Sequence, residues 1–172
     1  MKRRIEPTDK EWFVPEEELI VSKTDPKGRI TYGNETLIHI TGYQEEELLG
    51  KQHNIVRHPD MPRCIFRLLW ETIQAGGEFN GYVKNLRKDG GFYWVFGNVT
   101  PSYDTQGTLI GYYSVRRRPR KEALEVIIPL YQTLLNVERQ NKTKEAIAAS
   151  RQALDQTLED KGVSYDQFIF SL

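Results

Sequence analysis

Apolar residues change their spacing repeatedly along the chain, and each change marks an element. Residues 1–18 are mostly polar, with Trp12, Phe13 and Val14 as the one apolar cluster, which reads as an N-terminal cap with an aromatic patch to dock. Leu19-Ile20-Val21 opens an apolar run that ends at Asp25-Pro26-Lys27-Gly28, an order suited to a type I turn. Arg29-Ile30-Thr31-Tyr32 resumes β-branched and aromatic character, so a hairpin is predicted. Asn34 begins a short helix stopped by Gly42, and Gln44 to Leu49 forms another, closed by Gly50. Residues 51–62 read as irregular. Pro62 suits a helix start, and Ile65, Phe66, Leu69, Trp70 and Ile73 follow at helical spacing up to Gly76-Gly77. Strand patterns then run over Phe79–Arg87, Phe92–Val99 and Leu109–Val115, separated by turns at Lys88–Gly91 and Tyr103–Gly107.

The tail has a different rhythm. Leu124, Ile127, Ile128, Tyr131, Leu134 and Leu135 form a helical stripe that Pro129 should bend or divide. Ala146, Ile147, Ala149, Ala153, Leu154 and Leu158 suggest a second, weaker amphipathic helix ending at Gly162. Ser164 to Gln167 has capping-box spacing, ahead of Phe168, Ile169 and Phe170. The sum is an α+β chain: a five-stranded antiparallel sheet with short helices on one face, then a helical tail. The expected division is a cap over 1–18, a domain over 19–118 and a tail over 119–172.

Composition removes several functions. The 172 residues contain 24 Lys plus Arg and 24 Asp plus Glu, so no global charge draws the chain to nucleic acid or an anionic membrane. Arg116, Arg117, Arg118 and Arg120 make the densest basic run, and its position reads as a solvated strand end. The one cysteine, Cys64, excludes an internal disulfide framework and suits a reducing compartment. No run approaches the ~20 apolar residues that span a bilayer. The expectation is a cytoplasmic chain, either free or the front end of a longer receptor.

No nucleophile elbow, phosphate-cradling glycine loop, His-Glu-x-x-His or Cys-x-x-Cys is present, so an enzyme is not expected. The stretch richest in chemistry is His53 to Pro62, where His53, Arg57, His58 and Asp60 lie between two apolar helices. It reads either as an exposed loop with local caps or as a buried set requiring partners. Metal ligation by His53, His58 and Asp60 is a poor reading, because no spacing enforces a fourth ligand.

Three segments carry a family resemblance. Gly42–Lys51 (GYQEEELLGK), Val56–Pro62 (VRHPDMP) and Lys84–Trp94 (KNLRKDGGFYW), together with Trp70, resemble the PAS domain of bacterial aerotaxis receptors. The resemblance runs from about residue 19 to 135 and includes Pro129-Leu130-Tyr131. It implies non-covalent FAD and a module that reports redox state and oxygen supply to a protein signalling partner or downstream receptor domain. Under it, Arg57 would meet the pyrophosphate or a ring carbonyl, and His58 and Asp60 would hold the loop against the dinucleotide. Asn85 shares a strand face with Phe79, Gly81 and Val83, and would offer donor and acceptor to the ring edge. Asn34 and Asn98 would add polar contacts, and Trp70 would line the ring.

The match has one departure: Phe79 stands where flavin-binding relatives commonly carry tryptophan. The chain also resembles light-oxygen-voltage domains, with His53 at the position of their adduct-forming cysteine. Cys64 falls on the following helix, so adduct photochemistry is not expected. The tail stripe would pack on its own domain or pair with a second copy in a homodimer. Two rival readings are a cofactor-free PAS interaction module and a haem-binding sensor using His39, His53 or His58.

Overall fold

The computed structural model describes residues 5–172. Local turn chemistry builds the first hairpin. Asp25 Oδ1 accepts the Lys27 and Arg29 amides at 2.8 and 2.9 Å, and Gly28 takes φ 78°. Strands β1 (Ile20–Thr24) and β2 (Ile30–Gly33) close on that turn. Asn34 then caps α1 (Glu35–Thr41): its side chain accepts from the Leu37 amide, a contribution typically worth about 1 kcal/mol. Gln44 and Glu47 close a capping box on α2 (Glu45–Leu48). The stretch expected to be irregular contains a 3₁₀ turn, His53–Val56, followed by α3 (Arg63–Gln74).

The remaining strands are β3 (Phe79–Leu86), β4 (Phe92–Tyr103) and β5 (Leu109–Arg117). The sheet order is β2-β1-β5-β4-β3 with every neighbouring pair antiparallel, so the first and last strands pair at its centre. Strand β4 outruns its expected end at Val99 and passes through Pro101. Its pairing with β3 ends at Phe79↔Val99 while its pairing with β5 continues, so the proline falls where one side of the strand is already open. At Gly111 a side chain is forbidden, since a Cβ would lie 1.9 Å from the Thr24 carbonyl oxygen.

Contacts divide the chain into two units, one comprising the residues through Pro59 with Ile73–Arg118, the other Asp60–Thr72 with Pro119–Leu172. In the first, Ile20, Ile30, Leu37, Ile40, Tyr43, Leu48, Val56, Tyr93 and Val95 form one core with Val14. The N-terminal segment docks on the turn before β4 and on its first residue. Thr8 and Trp12 donate backbone bonds to Gly90 and Phe92, and Trp12 lies 3.7 Å from the Arg87 guanidinium.

The second unit holds α4 (Lys121–Gln140), α5 (Thr143–Lys161) and α6 (Tyr165–Phe170) with most of α3. Helix α4 runs unbroken through Pro129, so the proline does not divide it. It buries Ile127, Tyr131, Leu134 and Leu135, whereas Ile128 is exposed, one position round the helix. Glu138 is buried here and fully employed. It accepts from Arg63 Nε at 3.1 Å, the Cys64 amide at 3.1 Å and Ser150 Oγ at 2.9 Å. The carboxylate thereby satisfies an otherwise orphaned amide in the first turn of α3. No helix among the described residues is long and apolar enough to cross a membrane.

Candidate functional site

The inner face of the sheet is fixed by register. Asn85 opposes Tyr93, Gly81 opposes Gly97, and Gly97 opposes Arg116, which opposes Ile20. Side chains of directly paired residues share a face. One row across the sheet is therefore Ile20, Arg116, Gly97, Gly81, with Ser22 and Ser114 in the next row. The Gly97–Gly81 pair leaves bare backbone about 5 Å wide per strand beside the Arg116 side chain.

Residues 50–57 cross between the two edge strands. Gln52 bridges Arg29 at the start of β2, and Arg57 bridges Asn85 in β3. A 3₁₀ turn rises only about 2 Å per residue, while five strands laid flat span roughly 19 Å. The sheet must curl toward this crossing segment, which lies against its inner face through His53.

At the crossing, the His53 ring meets two strands. Ser22 Oγ lies 3.0 Å from Nε2, Arg116 Nη1 lies 3.3 Å from the same nitrogen, and Arg116 Nη2 donates to Ser22 Oγ at 2.5 Å. A guanidinium can only donate, so Nε2 is the acceptor and the ring is neutral with its proton on Nδ1. Burial, then the Arg116 charge, push the His53 pKa down to about 3. His53 as a whole residue keeps some solvent contact.

Arg116 overturns the solvated strand-end reading of the basic run. It is 5% exposed, and β5 extends to Arg117 instead of stopping at Val115. Parity explains the difference: Arg116 faces inward, while its neighbour Arg117 is exposed, its guanidinium over Phe96. No carboxylate among the described residues pairs with Arg116, and its Nε has no hydrogen-bond partner among them. Burial lowers its pKa to about 10, which still leaves it cationic near neutral pH. Tyr93 is also completely buried; desolvation raises its hydroxyl to about 12. That hydroxyl lies beside the Asn85 amide without reaching full hydrogen-bond geometry.

The candidate residues fall in different places. His53 and Asn85 belong to the inner face just described, and Arg57 joins it by its backbone bridge to Asn85. His58 is buried, its ring edge-on to Phe92 with centroids 6.1 Å apart. Asn34 is occupied structurally: beyond capping α1, it accepts from the Val21 amide and donates to the Leu19 carbonyl. Asn98 lies on the opposite sheet face from Asn85, where its amide donates to Glu78 and to Asn80. Asp60 and Trp70 belong to the second unit, where Asp60 lies 3.8 Å from Arg139 and Trp70 is half-buried on α3.

Ser22, Tyr93 and Arg116 were not among the sequence candidates. Only their alternation with apolar neighbours could have signalled them, and Arg116 was masked by the arginines around it. No group of three or more His, Cys, Asp or Glu among the described residues is placed to hold a metal. Cys64 is buried, and desolvation raises its thiol to about 11, far from a reactive thiolate.

A family model described as the PAS fold matches residues 30–116. The aerotaxis receptor of Escherichia coli K12 is 42% identical over 123 residues, 72% of this chain and 24% of the receptor. The nitrogen fixation regulatory protein of Klebsiella pneumoniae is 31% identical over 105 residues, 61% of this chain and 21% of that protein. The chain thus spans about a quarter of the length of these relatives, which are by name a receptor and a regulator. Among solved structures, a light-oxygen-voltage domain studied with a flavin analogue aligns with TM-score 0.57 and 19% identity. That alignment covers 67% of this chain and 86% of the other, and it speaks for the fold.

Proposed function

The chain belongs to the PAS-fold family, and on that premise we propose that it is a flavin-binding sensory module reporting redox state or oxygen supply to a protein partner. The observation that carries this reading is the inner sheet face. It holds a buried cation, a neutral imidazole acceptor, an amide and a phenol beside a bare glycine pair, all within the family match. Such a set suits a flat, polar-edged heterocycle better than an apolar ligand, because every buried donor left alone costs roughly 1–3 kcal/mol. The aerotaxis receptor relative supports the sensory role, and the light-oxygen-voltage domain studied with a flavin analogue supports a flavin.

In this reading Asn85 presents donor and acceptor to the ring edge, while His53, held neutral, spends its one lone pair on Ser22 and Arg116 and adds no charge. Tyr93 keeps its proton, so it can only donate toward the pocket or accept as a neutral oxygen. Arg57 secures the crossing segment against the edge strand β3, and His58 packs it on Phe92 of β4. The flavin would contribute reversible electron acceptance. FAD, with Arg57 and His58 toward its dinucleotide portion, is the form the sequence resemblance favours. Output would leave through β5, which reaches α4 after only residues 118–120, toward a partner domain or a second copy.

His53, whose Nε2 is already engaged by Ser22 and Arg116, and His39, which is exposed on α1, are disfavoured as haem ligands, which leaves His58 as the haem reading's one candidate. The deciding experiment is the absorbance spectrum of the purified chain, with acid or heat release and chromatography to separate FAD from FMN. Paired flavin bands are expected, and the released compound is FAD. A colourless protein that neither FAD nor FMN reconstitutes refutes the reading, and a Soret band replaces it with haem.

A further inference from the structure

Resting on the flavin reading, we infer that Arg116 is the charge partner of the bound ring and sets its preference for the reduced form. Three observations meet at this residue. It is a buried cation on the inner face with no carboxylate partner among the described residues. Its Nε–H is unused among them, although buried polar groups are ordinarily paired. Its stem rises over Gly97, where a Cβ would come within 3.1 Å of Arg116 Cγ, and Gly81 continues the bare strip.

The neighbours that hold Arg116 cannot neutralise it. Ser22 is uncharged, and His53 is neutral and shares its one free lone pair between Ser22 and Arg116. Tyr93 lies close enough to feel the charge yet keeps its proton. An isolated buried cation is costly unless something electron-rich meets it. An isoalloxazine reduced by two electrons from an external donor, with one proton from water, gains one negative charge. A cation at the ring edge binds that form more tightly than the oxidised one. An opposite charge at close range shifts such equilibria by about one to three powers of ten.

The position also couples chemistry to output. Arg116 ties β5 to β1 through Ser22 and to the crossing segment through His53. A ring that draws the guanidinium harder in one redox state loosens those ties in that state, and a difference between states is what a signal requires.

Wild type, Arg116→Gln and Arg116→Lys are loaded with FAD, then titrated anaerobically with dithionite beside a reference dye. The midpoint potential should fall in Arg116→Gln, with affinity for reduced flavin dropping at least roughly tenfold more than affinity for oxidised flavin. Arg116→Lys, which keeps the charge, should stay near the wild type. Stability is checked by urea denaturation, where loss of an unpaired buried charge should be neutral or favourable. Arg116→Met takes the place of Arg116→Gln, with the same expectation, if the latter does not fold. Wild type and neutral variants sharing one potential overturn the inference and leave the flavin reading intact. Equal loss of affinity in both redox states does the same, since it marks a pyrophosphate contact. A wild type that binds neither FAD nor FMN removes both.

Discussion

The neutral state of His53 has a measurable consequence for stability. In the unfolded chain an imidazole titrates near 6.5, whereas in the fold burial and Arg116 hold it down to about 3. Between those values the unfolded state carries a proton that the folded state refuses, so stability falls as pH falls. The slope for one such proton is about 1.4 kcal/mol per pH unit. From the onset near pH 6.5 down to pH 5 the loss attributable to His53 is therefore about 2 kcal/mol, provided the folded ring stays neutral to pH 5. The groups facing the ring do not titrate there: Ser22 on β1 is uncharged and Arg116 on β5 remains cationic.

The perturbation is His53→Gln, which keeps an acceptor for Ser22 and Arg116 but cannot be protonated in this range. Urea denaturation at pH steps from 7.5 to 5, with both proteins in the same ligand state, gives stability from midpoint and slope. His39, His58 and the carboxylates are present in both proteins and cancel in the difference. The wild type should lose about 2 kcal/mol more than the variant over this range, with nearly all of it below pH 6.5. Parallel curves would refute the reasoning, because they would mean that His53 accepts its proton in the folded state as readily as in the unfolded one.

Two further expectations concern other residues. Glu138→Ala strips a buried carboxylate from Arg63, the Cys64 amide and Ser150 at once, and should cost about 1–3 kcal/mol in urea denaturation, with the loss confined to the helical unit by hydrogen exchange. Asn85→Ala should weaken flavin retention by about 1–3 kcal/mol, read as faster release on dilution, while Cys64→Ala should leave retention unchanged.

Much of the fold is legible because its signals are short-range. Asp25 organises its turn with its own backbone neighbours, Asn34 caps the helix it begins, and the Lys88–Gly91 turn joins two strands adjacent in sequence. Each depends on residues within a few positions, so the sequence alone determines them. The two strands that pair at the sheet centre are different. β1 and β5 lie about ninety residues apart, and nothing local to either identifies the other as its partner.

That non-local pairing decides the site. Whether Arg116 is solvated or buried depends on which of two faces an odd or even position takes, and a one-residue change of register reverses the answer. Arg116, Arg117 and Arg118 are one residue type in succession, yet the first is inside and the next two are exposed. Asn85 and Asn98 are separated by the same rule, since the register Asn85↔Tyr93 and Asn80↔Asn98 sends them to opposite faces. Sequence supplied the polar residues and the strands that carry them. Only the tertiary pairing decided which polar groups lie in the dry interior, because burial is a property of a face and a face exists only once distant strands are in register.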